Sequence, residues 1–275
     1  MKVKMSKKEN HKRDLTPLFD EFLKTDDAGR IIEYLLSNSN LPGRRANLEL
    51  AEAFAEVIEV YCAEDPERLW SLSLNLTEVS PDEAQVNNPK EFLPFCGACA
   101  IGAIGSISPA FYQRALSRVK ALATDPRWRV REAVAMGIQK LVEKQSKKTL
   151  KGLESWIVNG NWLAMRAVAA GVAEPALLKN KQTARQALAL HRKIIDQILS
   201  VKEHKAEEFK ILKKGLGYSL RVVISATPKE GFEYMHQLVK SQDKDILWIL
   251  KENLKKNRLI KNFSMEVASI KELLN

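Results

Sequence analysis

Cys96 and Cys99 stand at the CxxC spacing of a dithiol redox pair or of half a zinc site. Zinc needs two more ligands at suitable spacing, and no nearby His or Cys pair supplies them. A thioredoxin-like pair needs a strand–helix context that this stretch lacks. Small residues Ala98, Gly102 and Gly105 surround the pair and predict a closely packed helix with structural cysteines. His11, His191, His204 and His236 are scattered, none beside a cysteine or carboxylate in a catalytic pattern. No Gly-rich phosphate loop, HExxH or GxSxG occurs. The expectation is therefore no catalytic residue, no metal ligand and no cofactor, with no small-molecule substrate evident.

Basic residues offer a different chemistry. Arg127, Arg129 and Arg131 crowd one short segment. Lys140, Lys144, Lys147 and Lys148 follow at helical spacing around a turn near Ser146. Lys213, Lys214 and Arg221 form a third group, and Lys251, Lys255 and Lys256 a fourth. Such stripes can track phosphates or an acidic protein. Trp128, Trp156 and Trp162 lie among them, and aromatic rings beside cations suit nucleic-acid contacts. The competing expectation places Trp128 and Trp162 in the core.

The charge is unevenly distributed. The net +10 combines −11 over residues 14–100 with +16 over 101–275, and the first 13 residues add +5. A basic surface on the C-terminal two-thirds follows.

Leu, Ala, Lys and Glu dominate, Gly and Pro number 12 and 10, and alternating β-branched runs are missing, so the elements are helices. Cap signals mark their starts at Asp65-Pro66, Ser80-Pro81, Ser108-Pro109 and Thr227-Pro228. The spacing predicts helices near 15–24, 27–37, 43–62, 66–76, 91–106, 109–123, 128–144, 147–158, 161–173, 182–200, 205–225, 228–241, 245–257 and 264–273. Residues 1–13 are expected as a disordered basic arm and 14–275 as one domain. The run Phe92–Ile107 is apolar but shorter than the roughly 20 residues a bilayer requires, which predicts a buried helix and no membrane partner. Three cysteines make no disulfide framework, and no apolar stretch follows the basic N-terminus. A reducing, cytoplasmic setting is expected.

An internal repeat organises the middle of the chain. Trp128, Ala133, Val134, Ala135 and Gly137 recur 34 residues later as Trp162, Ala167, Val168, Ala169 and Gly171, and Asp125 aligns with Asn159. Repeats of this length mark stacked helix pairs that cannot bury their faces alone. Asp125, Val130 and Arg131 resemble the Asp-turn and Val-Arg pair of HEAT repeats. The next repeat departs, with Met165 in the aligned Arg position and Arg166 one residue on. Segments 125–139, 161–178, 216–228 and 246–259 also resemble a family of uncharacterised bacterial HEAT-like proteins. The resemblance implies an all-α, right-handed α-solenoid of HEAT-like helix pairs and no particular activity. A more distant likeness in fold is to HEAT-like alkylpurine DNA glycosylases, whose Trp-and-Asp site does not map onto this chain; Glu132 is a loose candidate only.

Two functions remain. The first is a non-enzymatic scaffold whose solenoid surface holds a protein or polyanionic partner. The alternative is a nucleic-acid-binding protein related to those glycosylases. Exposed rings on a basic face favour the alternative, and buried rings the scaffold.

Overall fold

The computed structural model describes residues 5–158, 161–201 and 205–274, and these are 76% helical with no strand. The fold is all-α. The expected alignment of Asp125 with Asn159, and the expectation for His204, fall outside the described residues.

The chain divides into two compact units, 1–144 and 145–275. The break falls inside α7 (Trp128–Glu154), where Gln145 leaves helical geometry at φ −130°, ψ 46°.

Unit 1 holds α1 (Lys7–Thr25), α2 (Gly29–Ser37), α3 (Leu48–Tyr61), α4 (Pro66–Glu78), α5 (Phe92–Ile107), α6 (Tyr112–Leu122) and the first part of α7. The expected disordered arm is helical from Lys7 onward. Ser6 caps α1 by accepting from the Glu9 N–H, and Lys8 and Lys12 reach the Glu56 carboxylate on α3 at 2.8 and 3.1 Å. Acidic partners on α3 supply the order that local composition could not announce.

α3 packs between α1 and α5, while α4 and α6 cover α5. α5 is apolar on every side and therefore belongs in a core. The segment Pro89–Ile107 is long and apolar enough to cross a membrane by composition, yet 89% of it is buried here. Its glycines permit close crossing: a Cβ on Gly102 would lie 2.5 Å from the Gly137 carbonyl oxygen of α7 and would collide with its Cα. Cys96 and Cys99 lie inside this helix, fully buried, and burial pushes the Cys99 thiol up to about 12.

Unit 2 holds the end of α7, α8 (Trp162–Val172), α9 (Lys181–Leu199), α10 (Glu207–Ala226), α11 (Pro228–Val239), α12 (Lys244–Leu254), α13 (Asn257–Ile260) and α14 (Ser264–Leu273). α10 lies between α8 and α12 and is covered by α9 and α11. A buried polar link ties α9 to α10. The His191 Nδ1 faces the Ala187 carbonyl at 2.9 Å and therefore carries the proton, so Nε2 accepts from the Ser219 hydroxyl at 2.9 Å. Burial holds the His191 pKa down to about 4, which keeps the ring neutral.

Not every cap signal acts as the sequence suggests. Asp65 caps α4, accepting from the Arg68 N–H. Ser80 and Glu83 form a reciprocal box around a single turn rather than a helix. Thr227 instead donates its hydroxyl to the Val223 carbonyl and leaves the α11 N-terminus without a side-chain cap.

Candidate functional site

The basic residues singled out in the sequence separate into structural and exposed sets. Arg127, Arg129 and Arg131 are buried. Arg127 grips both Asp125 oxygens, at 2.9 and 2.7 Å, and donates to the Val79 carbonyl at 2.9 Å. Arg129 donates to Glu91 Oε2 at 3.0 Å and to the Gly43 carbonyl at 2.7 Å. Arg131 donates to the carbonyls of Asp125 and Pro126. A guanidinium has five donors in a rigid fork and suits the bracing of irregular backbone. These three arginines therefore brace the loops before α5 and α7. That corrects the expectation that they bind an external polyanion: their donors already face inward.

Trp128 also departs from expectation. Its ring is 41% exposed and lies 4.4 Å from the Arg129 guanidinium, so it covers that arginine rather than filling a core. Trp156 is buried, and Trp162 is half-buried with its ring edge-on to Phe209 at 5.4 Å. Glu132 sits in unit 1 and lies close enough to influence the Cys99 thiol. Lys140 pairs with Glu59 on α3 at 3.0 Å, which neutralises an acidic helix face. Lys144 is exposed in unit 1, while Lys147 and Lys148 are exposed in unit 2. The non-helical backbone at Gln145 ends the single helical stripe that their spacing suggests.

The remaining candidates converge on one face of unit 2, formed by α8, α10 and α12. On α10, Lys210, Lys214 and Tyr218 are spaced four residues apart and all are exposed. Tyr218 is 63% exposed, and the Arg221 guanidinium lies 4.8 Å from its ring centroid. Arg221 Nη1 donates to the Gly217 carbonyl at 2.7 Å, which fixes the guanidinium beside the ring. Lys213 reaches toward α12, where it pairs with Asp245 at 2.8 Å and sits 4.8 Å from the Trp248 ring centroid. On α12, Lys244, Trp248, Lys251 and Lys255 fall at helical spacing. On α8, Trp162 and Arg166 occupy the matching row.

Two mid-helix glycines close the rows together. A Cβ at Gly215 would meet Arg166 Cγ of α8 at 3.2 Å, and one at Gly217 would meet the Trp248 ring of α12 at 3.3 Å. The balance of charge on this face is positive. Glu252 pairs with Lys255 at 2.6 Å, and its carboxyl is held below the usual range by Lys255 first, then by Lys256 and Arg221. Burial chiefly lowers the Arg221 pKa, and the like charge of Arg258 adds to this against the opposing influence of Tyr218 and Glu252. Among the described residues, Lys214 and Lys251 form no ion pair.

Tyr218, Trp248 and Arg166 were not singled out from the sequence as site residues. A signal existed in Gly215-Leu216-Gly217. Each glycine inside a helix costs about 1 kcal/mol relative to Ala, so two of them imply something lying across the helix. Elsewhere in unit 2, a depression of about 400 Å³ is lined by Glu154, Ile157, Val158, Lys193, Asp196 and Gln197. Lys193 pairs with Glu154 there. Among the described residues no group of three or more His, Cys, Asp or Glu is placed to hold a metal ion.

No family model matches the chain, and no curated protein matches it. A solved structure of an engineered protein aligns over 91% of this chain and 98% of its own, at 16% identity and a TM-score of 0.34. A likeness that weak carries no argument about fold or function.

Proposed function

We propose that the protein is a non-enzymatic binding scaffold of HEAT-like α-solenoid type that holds a polyanionic partner on the α8–α10–α12 face. The observation that carries the reading is the pair of cation rows there: Lys210 and Lys214 on α10, and Lys244, Lys251 and Lys255 on α12, with the local carboxylates Glu207, Asp245 and Glu252 paired to Lys210, Lys213 and Lys255 and the row left in net positive balance by Lys214, Lys244 and Lys251. The solenoid form is supported by packing within each unit. Alternate helices are neighbours, α1–α3–α5 in unit 1 and α8–α10–α12 in unit 2, as stacked helix pairs require. A cytoplasmic setting accords with the free, buried thiols of Cys62, Cys96 and Cys99.

A protein partner would have to present carboxylates to this face. Nucleic acid is the second reading, and the exposed Tyr218 ring favours it. The test is binding of heparin and of duplex DNA across a salt series. Affinity is expected to be weak and to fall steeply with salt. Replacing Lys214, Lys251 and Lys255 with Ala should flatten the log–log slope by about 0.9 for each B-DNA phosphate that is no longer neutralised. No binding of either polyanion at low salt refutes the proposal.

A further inference from the structure

The geometry points to the α8–α10–α12 face as a track for single-stranded nucleic acid, with the Tyr218 ring as a base-stacking platform and Arg221, Lys214 and Lys251 as phosphate-binding cations. This inference rests on the polyanion-holding reading above and narrows it to one class of partner.

Poly-glutamate or a sulfated sugar needs cations alone, and neither has an aromatic ring to offer a tyrosine. Tyr218 is nevertheless the most exposed aromatic ring on this face, in line with Lys210 and Lys214. It is not a loose surface residue. The Arg221 guanidinium lies over it at 4.8 Å and is itself anchored on the Gly217 carbonyl. The ring is therefore oriented in advance, with a cation within reach of a phosphate attached to any base that stacks upon it. Aromatic rings among tracking cations are how sequence-tolerant single-strand sites gain affinity, because every base has a π-face.

The floor on either side is continuous. Gly215 lets the Arg166 side chain lie against α10, and Gly217 does the same for the Trp248 ring, which Lys213 covers at 4.8 Å. The face thus repeats its motif, with the Tyr218 ring and Arg221 both on α10 and the Trp248 ring of α12 under Lys213 of α10. A duplex keeps its bases paired and stacked inside, so it would touch the lysines but offer nothing to Tyr218. Only a strand with bases free to turn outward uses both chemistries.

The test compares oligo(dT) longer than the about 4–16 nucleotides covered by compact single-strand sites with duplex DNA, heparin and poly-glutamate. Each is titrated into the full chain, the Tyr218→Ala variant and the Tyr218→Phe variant. Removing one stacked base should weaken oligo(dT) binding about 5- to 150-fold in Tyr218→Ala. Tyr218→Phe should retain affinity, and duplex and heparin binding should be unchanged in both. Because Tyr218 is 63% exposed, the variants should melt with the parent, which separates weakened stacking from impaired folding. Oligo(dT) affinity unaffected by Tyr218→Ala, or poly-glutamate binding as tightly as oligo(dT), overturns the inference while leaving a polyanion-binding face in place. Failure of all four ligands to bind at low salt overturns both.

Discussion

Replacing Arg129 with Met distinguishes a structural guanidinium from a polyanion-binding one. Arg129 is 3% exposed and Glu91 is fully buried. Nη1 donates to Glu91 Oε2 at 3.0 Å, while Nη2 donates to the Gly43 carbonyl at 2.7 Å and to Asn87 Oδ1 at 3.2 Å. Met fills similar space but removes every donor. Glu91 is then left as a buried charge, with the Asn87 N–H at 2.7 Å as its remaining hydrogen-bond donor. Breaking a buried pair from one side costs about 3–5 kcal/mol, a large share of a total stability of about 5–15 kcal/mol. Much of that cost is the stranded carboxylate. Adding Glu91→Gln keeps an acceptor for Asn87 and removes the charge, so the double variant should recover on the order of 2 kcal/mol. The assay is urea unfolding followed by circular dichroism and tryptophan fluorescence, since the Trp128 ring lies 4.4 Å from Arg129. A destabilisation below about 1 kcal/mol together with a large loss of polyanion affinity would show that Arg129 faces a ligand and that the buried reading is wrong.

Three further perturbations follow from the packing. His191, neutral in the fold with its pKa near 4 against about 6.5 when unfolded, takes up its proton more readily once unfolded. Stability should therefore fall as pH drops from about 6.5 to 4, by of order 3 kcal/mol for this residue. His191→Gln should shrink that acid-side loss relative to the parent, and an unchanged pH profile in thermal melts would contradict it. Gly102→Ala places a methyl 2.5 Å from the Gly137 carbonyl oxygen and against its Cα, backbone against backbone. It should cost at least the 1–3 kcal/mol, roughly, that overpacking commonly costs, and a melting temperature equal to the parent's would refute the close crossing. Cys96 and Cys99 should react slowly with a thiol reagent until urea unfolds the chain, because both are buried and the Cys99 thiol is held near 12; rapid native-state labelling would overturn their place in the core.

Helix identity was legible along the chain because its determinants are local. Apolar spacing, Asp65-Pro66 and the scarcity of Gly and Pro predict elements that match the observed α4, α5, α8, α9 and α11 to within about two residues. The 34-residue repeat likewise located Trp128 and Trp162 at matching helix starts. The sequence could not show what each side chain meets. Arg129 and Lys214 carry the same charge, yet one is fixed against Glu91, 38 positions away, and the other faces water. Trp128 and Trp162 share a repeat position, yet one covers a guanidinium and the other packs on Phe209. The arm over residues 7–13 looked disordered because its stabilising carboxylate, Glu56, lies on another helix. Charge and aromaticity are properties of residues, but exposure and partnership arise when distant helices pack. Residue types alone therefore established an all-helical, basic chain, while only the packing of α8, α10 and α12 set Tyr218 among cations on one face.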